Sequence, residues 1–226
     1  MVRLICVLIG YVFGLFQTAY FYGKANGIDI RDYGSGNSGT TNALRVLGKK
    51  AGLIVLLGDC MKCILAVVLV RILFGQQYKD VIYLLCLYTG AGAILGHNYP
   101  FYMGFKGGKG IAATAGMILS FHPLFVAFGV ITFFGTFFLT HYVSLGSLLV
   151  YAGFMIEMVV FGQLGVFGDS ISQMQLLEMY AVTAFLTILA YWKHRQNIVR
   201  LVHGEERKTY LTKKNKLDVE KKEEAK

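Results

Sequence analysis

Three stretches of this chain hold the side chains best suited to chemistry, and all three favour a bound phosphate. The first reads GSGNSGTTNALRVLG over residues 34–48. Gly34, Gly36 and Gly39 lack a Cβ, so backbone N–H groups there can approach an oxyanion closely, and Ser35, Asn37, Thr40, Thr41 and Asn42 add neutral donors. Arg45 supplies a fixed charge and a forked donor that fits phosphate. The spacing G-x-G-x-x-G also suits a dinucleotide, but that fingerprint needs a preceding strand and a later acidic residue within a βαβ unit. An apolar run precedes it here instead.

The second stretch, GHNYPFYMGFKGGKG over 96–110, resembles a nucleotide phosphate loop only superficially. Counted from Gly104 it is one residue short, and Gly110 stands where Ser or Thr would hold magnesium. Lys106 and Lys109 flank Gly107 and Gly108 just before a helix expected from Ile111, so two ammonium groups and a helix N-terminus converge where an anion belongs. The third stretch, KHRQNIVRLVHGEE over 193–206, is expected to continue the last apolar helix, with His194, Asn197 and Leu201 on one face and Arg195 and Arg200 nearby. A histidine and an asparagine there could move a proton or donate to an anion. Metal-ligand spacings of the H-x-x-H kind, acidic pairs and nucleophile elbows are missing from these stretches, so no metal and no cofactor is expected. Rich in phosphate donors and poor in bases, such a site suits a substrate that arrives already activated.

The elements that must position these stretches are membrane spans. Hydrophobic residues make up 55% of the 226, with 2 prolines and 15% charged residues, too apolar for a soluble domain of this size. Net charge is +9, but the cations lie between apolar runs and in the tail, a pattern that fits lipid headgroups and phosphorylated ligands and argues against nucleic acid. Spans are expected at 2–22, 51–74, 80–96, 111–121, 123–140, 143–162 and 175–192, the fourth too short to cross unaided. The fold class is therefore all-α, a polytopic seven-helix membrane protein comprising one domain over 1–208 and a charged tail over 209–226. Seven crossings put all three polar stretches on one face. Lys and Arg concentrate in them while the 163–174 linker has neither, which places the N-terminus outside and the C-terminus in the cytoplasm.

Within the spans, Asp59 and Lys62 lie one helical turn apart and are expected to pair. That pair is as consistent with a structural role as with a role in the site. Cys60 and Cys63 read as small packing side chains, and Glu157 and His122 as structural.

These residues resemble the acyl-phosphate-dependent glycerol-3-phosphate acyltransferases of bacterial membranes. The resemblance rests on residues 34–52, GDCMK at 58–62, residues 96–110, YVSLGS at 142–147 and HRQNIVRLVHGEE at 194–206. It implies acyl transfer from acyl phosphate to the sn-1 hydroxyl of glycerol 3-phosphate, giving lysophosphatidic acid and phosphate at the cytoplasmic face of the bacterial inner membrane. Ser35, Arg45, Lys109, His194 and Asn197 fall on the family's active-site positions, and Gly34, Gly36, Gly107 and Gly108 on its phosphate-contacting glycines. Asn37, Gly39, Thr41, Asn42, Lys106, Ser144 and Arg195 complete the expected substrate contacts. The partners implied are the two substrates and membrane lipids, with a monomer expected. The chain departs from the family pattern at 15–17, where a usual proline is absent, and at Ser38 and Thr40, which replace an apolar residue and alanine. The competing class, a phosphate or phospho-metabolite transporter, would need charges distributed through the midplane and an internal repeat; only Asp59, Lys62 and Glu157 lie inside spans, and no repeat is visible.

Overall fold

The structure is a computed structural model that describes residues 1–210. The expected charged tail lies outside the described residues from position 211 onward. Every regular element among the described residues is helical: α1 (Val2–Gly14), α2 (Thr18–Ala25), α3 (Thr40–Leu47), α4 (Lys49–Phe74), α5 (Ile82–Asn98), α6 (Ile111–Phe121), α7 (Pro123–Thr140), α8 (Val143–Gln163), α9 (Gln173–Lys193) and α10 (Arg195–Val202).

Six segments are long and apolar enough to cross a membrane: Val2–Ala25, Lys49–Phe74, Lys79–Met103, Pro123–Thr140, Val143–Gln163 and Gln173–Lys193. Helix α6, with 11 residues, is not. At 1.5 Å per residue it is about 16 Å long, roughly half a hydrocarbon core. The outer faces are apolar, as lipid contact requires: on α7 only Phe125 and Phe137 are buried, while Ile131 and Leu139 are 69% and 86% exposed.

Helices α1 and α5 pack closest because each carries glycines four residues apart on the facing side. A Cβ built on Gly10 would lie 2.0 Å from the Thr89 carbonyl oxygen, and one on Gly14 2.3 Å from that of Ala93. From the other side, Gly92 and Gly96 stand equally close to the carbonyls of Val7 and Tyr11, at 2.1 and 2.3 Å. Two small-x-x-x-small stripes thus let the backbones touch, which is how helices associate in lipid without a hydrophobic driving force. Helices α4 and α6 use the same device: Gly116 abuts the backbone of Cys60, whose thiol donates to the Ala112 carbonyl at 3.0 Å. All four cysteines are free and buried, so the C-x-x-C serves packing, as expected.

Two interruptions depart from simple spans. The expected continuous first span breaks at 15–17, although no proline stands there. The break leaves three carbonyls outside the helical ladder, and side chains satisfy each: Gln17 Nε2 reaches that of Gly14 at 3.3 Å, the Tyr102 hydroxyl that of Leu15 at 2.7 Å, and Lys62 Nζ that of Phe16 at 2.7 Å. Unsatisfied carbonyls are too costly at membrane depth, so these donors are what makes the break tolerable. The second interruption is the end of α6, where Arg71 Nη2 donates to the carbonyls of Ser120 and Phe121 at 3.3 and 3.1 Å. The C-terminus of the short helix is closed by a cation, while its N-terminus stays open at the glycine loop.

Because the α1–α5 contact is backbone to backbone, Gly92→Ala must push the helices apart. We expect a loss of about 1–3 kcal/mol, read as a lower thermal midpoint in detergent. Gly135→Ala, whose Cβ meets nothing within 4 Å, should leave the midpoint where it is; equal effects at both positions would rule out the close-packing account.

Candidate active site

The three polar stretches meet. Residues 34–48 approach 96–110 where a Cβ on Gly108 would lie 2.8 Å from the Ser38 carbonyl oxygen. Residues 96–110 touch the third stretch where Lys109 Nζ donates to Asn197 Oδ1, and again where Lys193 Nζ donates to the Asn98 carbonyl at 3.4 Å. Arg45 joins the first stretch to the chain after α10, donating from Nη2 to Thr209 Oγ1 at 2.8 Å and to the Arg207 carbonyl at 3.3 Å.

In the first loop, Gly34 and Gly36 have φ of 62° and 70°, the left-handed region that favours glycine. A Cβ on Gly34 would also strike Asn42 Oδ1 at 2.3 Å. That approach lets Asn42 accept from the Ser35 amide at 2.8 Å while donating to the carbonyls of Ile30 and Tyr33 at 3.1 Å each. Asn42, expected to touch substrate, instead staples the loop with its whole amide group. The loop feeds α3, and no internal acceptor exists among the described residues for the amides of Thr40, Thr41 and Asn42. The Ser38 and Thr40 hydroxyls are buried and likewise unpartnered. Buried polar groups are normally paired, so orphans gathered at a helix start mark a place where something polar binds.

In the second loop the glycines do a different job from the one expected. The Gly107 and Gly108 amides donate to the carbonyls of Asn98 and His97 at 3.2 and 3.1 Å, so they tie the loop to the end of α5 and do not point at a ligand. Their missing side chains matter more, since a Cβ would clash at 2.0 Å with the His97 carbonyl oxygen or the His97 Nε2. Beyond Gly108, the amides of Lys109, Gly110 and the first turn of α6 have no acceptor among the described residues. Burial, chiefly, lowers the Lys109 ammonium to about 8; Glu206 opposes that shift, while Arg200, Lys193 and Arg45 add to it.

In the third stretch the helix does not run on. It ends at Lys193, and His194, at φ −99° and ψ 5°, separates α9 from α10. His194 is buried, and its Nδ1 donates to the Ala190 carbonyl at 2.8 Å, leaving a lone pair on Nε2. Burial first, then the neighbouring Lys109 charge, lower its pKa to about 4, so the ring is neutral at physiological pH. Asn197 bridges Lys109 to Glu206, to which its Nδ2 donates at 2.7 Å.

Glu206 is the member that the sequence did not single out. Its carboxylate also accepts from Ser144 Oγ at 3.0 Å and from Arg200 Nε at 2.8 Å. Burial opposes its charge, but those three hydrogen bonds prevail and hold the pKa below the usual glutamate value. Ser144, expected at the substrate, thus holds Glu206. Lys106 is exposed and makes no side-chain bond among the described residues, and Arg195 stacks on Trp192 at 4.8 Å and donates to its carbonyl, so the structure brings neither into the cluster. Ser35, Asn37, Gly39 and Thr41 remain on the loop beside it, Ser35 exposed and its hydroxyl unengaged among the described residues.

Among the described residues the assembled cluster brings together Arg45, Lys109, two open helix N-termini and the neutral His194 imidazole, with Arg200 and Lys193 alongside. Its one carboxylate is fully engaged, so it can bind phosphate and polarise a leaving group but has no strong base. The family model described as glycerol-3-phosphate acyltransferase matches residues 4–204. A glycerol-3-phosphate acyltransferase of Listeria welshimeri is 39% identical over 196 residues, covering 86% of this chain and 88% of that one. One from Geobacter sulfurreducens is 35% identical over 205 residues, covering 90% and 96%. The crystal structure of PlsY, an integral membrane glycerol 3-phosphate acyltransferase in its glycerol 3-phosphate form, matches with a TM-score of 0.77 at 29% identity, over 92% of this chain and 96% of that one. Its lysophosphatidic acid form gives a TM-score of 0.75. With that family model spanning nearly all of the chain, and with the all-helical fold shared, this multi-pass membrane protein belongs to the glycerol-3-phosphate acyltransferase family.

Proposed function

We propose that this enzyme transfers a fatty acyl group from acyl phosphate to the sn-1 hydroxyl of glycerol 3-phosphate, on the cytoplasmic face of the bacterial inner membrane. The observation that carries this reading is the contact of the two glycine loops at Ser38 and Gly108, which gathers two open helix N-termini beside Lys109. The relatives' name and the glycerol 3-phosphate and lysophosphatidic acid forms of PlsY support the acceptor and product. The donor follows from the chemistry. An acyl phosphate is a mixed anhydride whose phosphate leaves readily, and this pocket is equipped to stabilise a leaving phosphate rather than to generate a nucleophile. With the short α6 counted as a crossing, the Lys- and Arg-rich stretches share the inner face and the N-terminus lies outside.

In this mechanism Arg45, Lys109 and the amides opening α3 and α6 hold the donor phosphate, each donor contributing about 3 kcal/mol as charge develops on the leaving group. The glycerol hydroxyl oxygen attacks the acyl carbonyl carbon, an ester C–O bond forms, and the bond to phosphate oxygen breaks. The hydroxyl proton passes to the departing phosphate oxygen, which gains negative charge as its bond to the acyl carbon breaks and so is a better acceptor than His194 at about 4. His194 Nε2 instead accepts a hydrogen bond from the acceptor substrate and orients it.

The donor is tested by giving purified protein acyl phosphate, acyl-CoA and acyl carrier protein in parallel. Phosphate release with the first alone is expected; turnover with acyl-CoA alone would overturn the donor assignment. Lys109 sets a pH dependence. Free enzyme keeps its ammonium below pH 8 and loses it above, so kcat/KM for the donor should be flat through neutrality and fall above about pH 8. Lys109→Arg should move that limb out of range, and an unmoved limb would assign it to another group. For His194→Ala we expect a raised KM for glycerol 3-phosphate with kcat nearly unchanged; a collapse of kcat at constant KM would restore it as the base.

A further inference from the structure

Behind the glycine loop lies a charged cluster that the mechanism above does not use. Asp59, Lys62 and His97 are 1%, 5% and 3% exposed. Lys62 Nζ has three protons and three acceptors: the Phe16 carbonyl at 2.7 Å, Asp59 Oδ1 at 2.9 Å and His97 Nδ1 at 2.8 Å. Thr18 Oγ1 donates to the same Asp59 oxygen at 3.0 Å. An ammonium whose other two protons go to oxygen acceptors must donate its third to Nδ1, so the ring proton of His97 sits on Nε2.

That Nε2 has no hydrogen-bond partner among the described residues and abuts Gly108, as the 2.0 Å separation of a built Cβ shows. The same residue receives the Gly108 amide on its carbonyl. A structural ion pair would need Asp59 and Lys62 alone. It would not need the third bond to an imidazole pressed against Gly108, which abuts the Ser38 carbonyl.

We propose that Asp59, Lys62 and His97 are positioning residues for the donor-phosphate loop. Lys62 holds His97 in the Nε2–H form, and the ring edge sets how closely Gly108 approaches Ser38, and through it where the open amides from Lys109 onward lie. Asp59 in turn holds Lys62 charged and in place. This inference rests on the acyl phosphate reading for its kinetic consequence, but not for the state of the ring.

The test compares His97→Ala, His97→Gln and Lys62→Met with the unmodified enzyme. Gln can place an N–H near the Nε2 position, so it should keep most of the donor affinity. Ala and Met should raise the KM for acyl phosphate, and weaken inhibition by inorganic phosphate, by roughly tenfold to a hundredfold, with the KM for glycerol 3-phosphate unchanged. Combining Lys62→Met with His97→Ala should add little, because the lysine acts through the ring. Equal losses for both substrates, or additive effects, overturn the proposal. Should the variants fail to fold, nitrogen NMR of histidine-labelled unmodified protein decides it. A proton on Nε2 of His97 at neutral pH is expected, and one on Nδ1 overturns the proposal. Failure of unmodified protein to use acyl phosphate would remove the donor assignment while leaving the NMR and inorganic phosphate results to judge the cluster.

Discussion

A single methylene holds the site together. Gly108 fits between the Ser38 carbonyl and the His97 ring because it has no side chain, and any Cβ there would overlap one or the other. Only at that separation do the start of α3 and the start of α6 belong to one pocket. Other contacts, among them Lys109 with Asn197 and Arg45 with Thr209, hold the cluster from the C-terminal side. Neither could draw the two glycine loops together, because neither lies between them.

The bilayer imposes an asymmetry on how the helices end. Where α1 breaks and where α6 stops, the freed carbonyls are covered by Gln17, Tyr102, Lys62 and Arg71. Where α3 and α6 begin, amides and hydroxyls are left without acceptors among the described residues. Unmet carbonyls would serve no ligand in a reaction of anions, whereas unmet amides are what binds one. The short α6 thus begins at the loop, and Arg71 satisfies the carbonyls where it stops.

Much of this was legible in the chain. The shortness of the 111–121 helix and the Asp59–Lys62 pair follow from residue type and spacing, because local geometry fixes them. The glycine stripes were readable as Gly10, Gly14 and Gly92, Gly96, but their mutual contact was not, since spacing does not name a partner. The break at 15–17 was hidden because one glutamine in an apolar run gives little warning, and the other two capping donors come from α4 and from the 99–110 loop. Asn42, Ser144 and Glu206 mislead for the same reason. An asparagine in a glycine loop looks like a ligand, and a glutamate before a charged tail looks solvated, until distant partners turn each inward.

The electrostatics of the pocket bear on which proton path is open. A strong base in this cationic field is drawn into pairing and lost to catalysis, and Glu206, tied to Ser144, Asn197 and Arg200, is held that way. A buried histidine in the same field is driven toward neutrality, and burial first, then Lys109, take His194 to about 4. Strong anion binding and strong general-base catalysis therefore exclude each other within a few ångströms here. Under the proposed mechanism the compatible solution is a leaving group that accepts the proton itself, as phosphate would while still bound to Arg45 and Lys109.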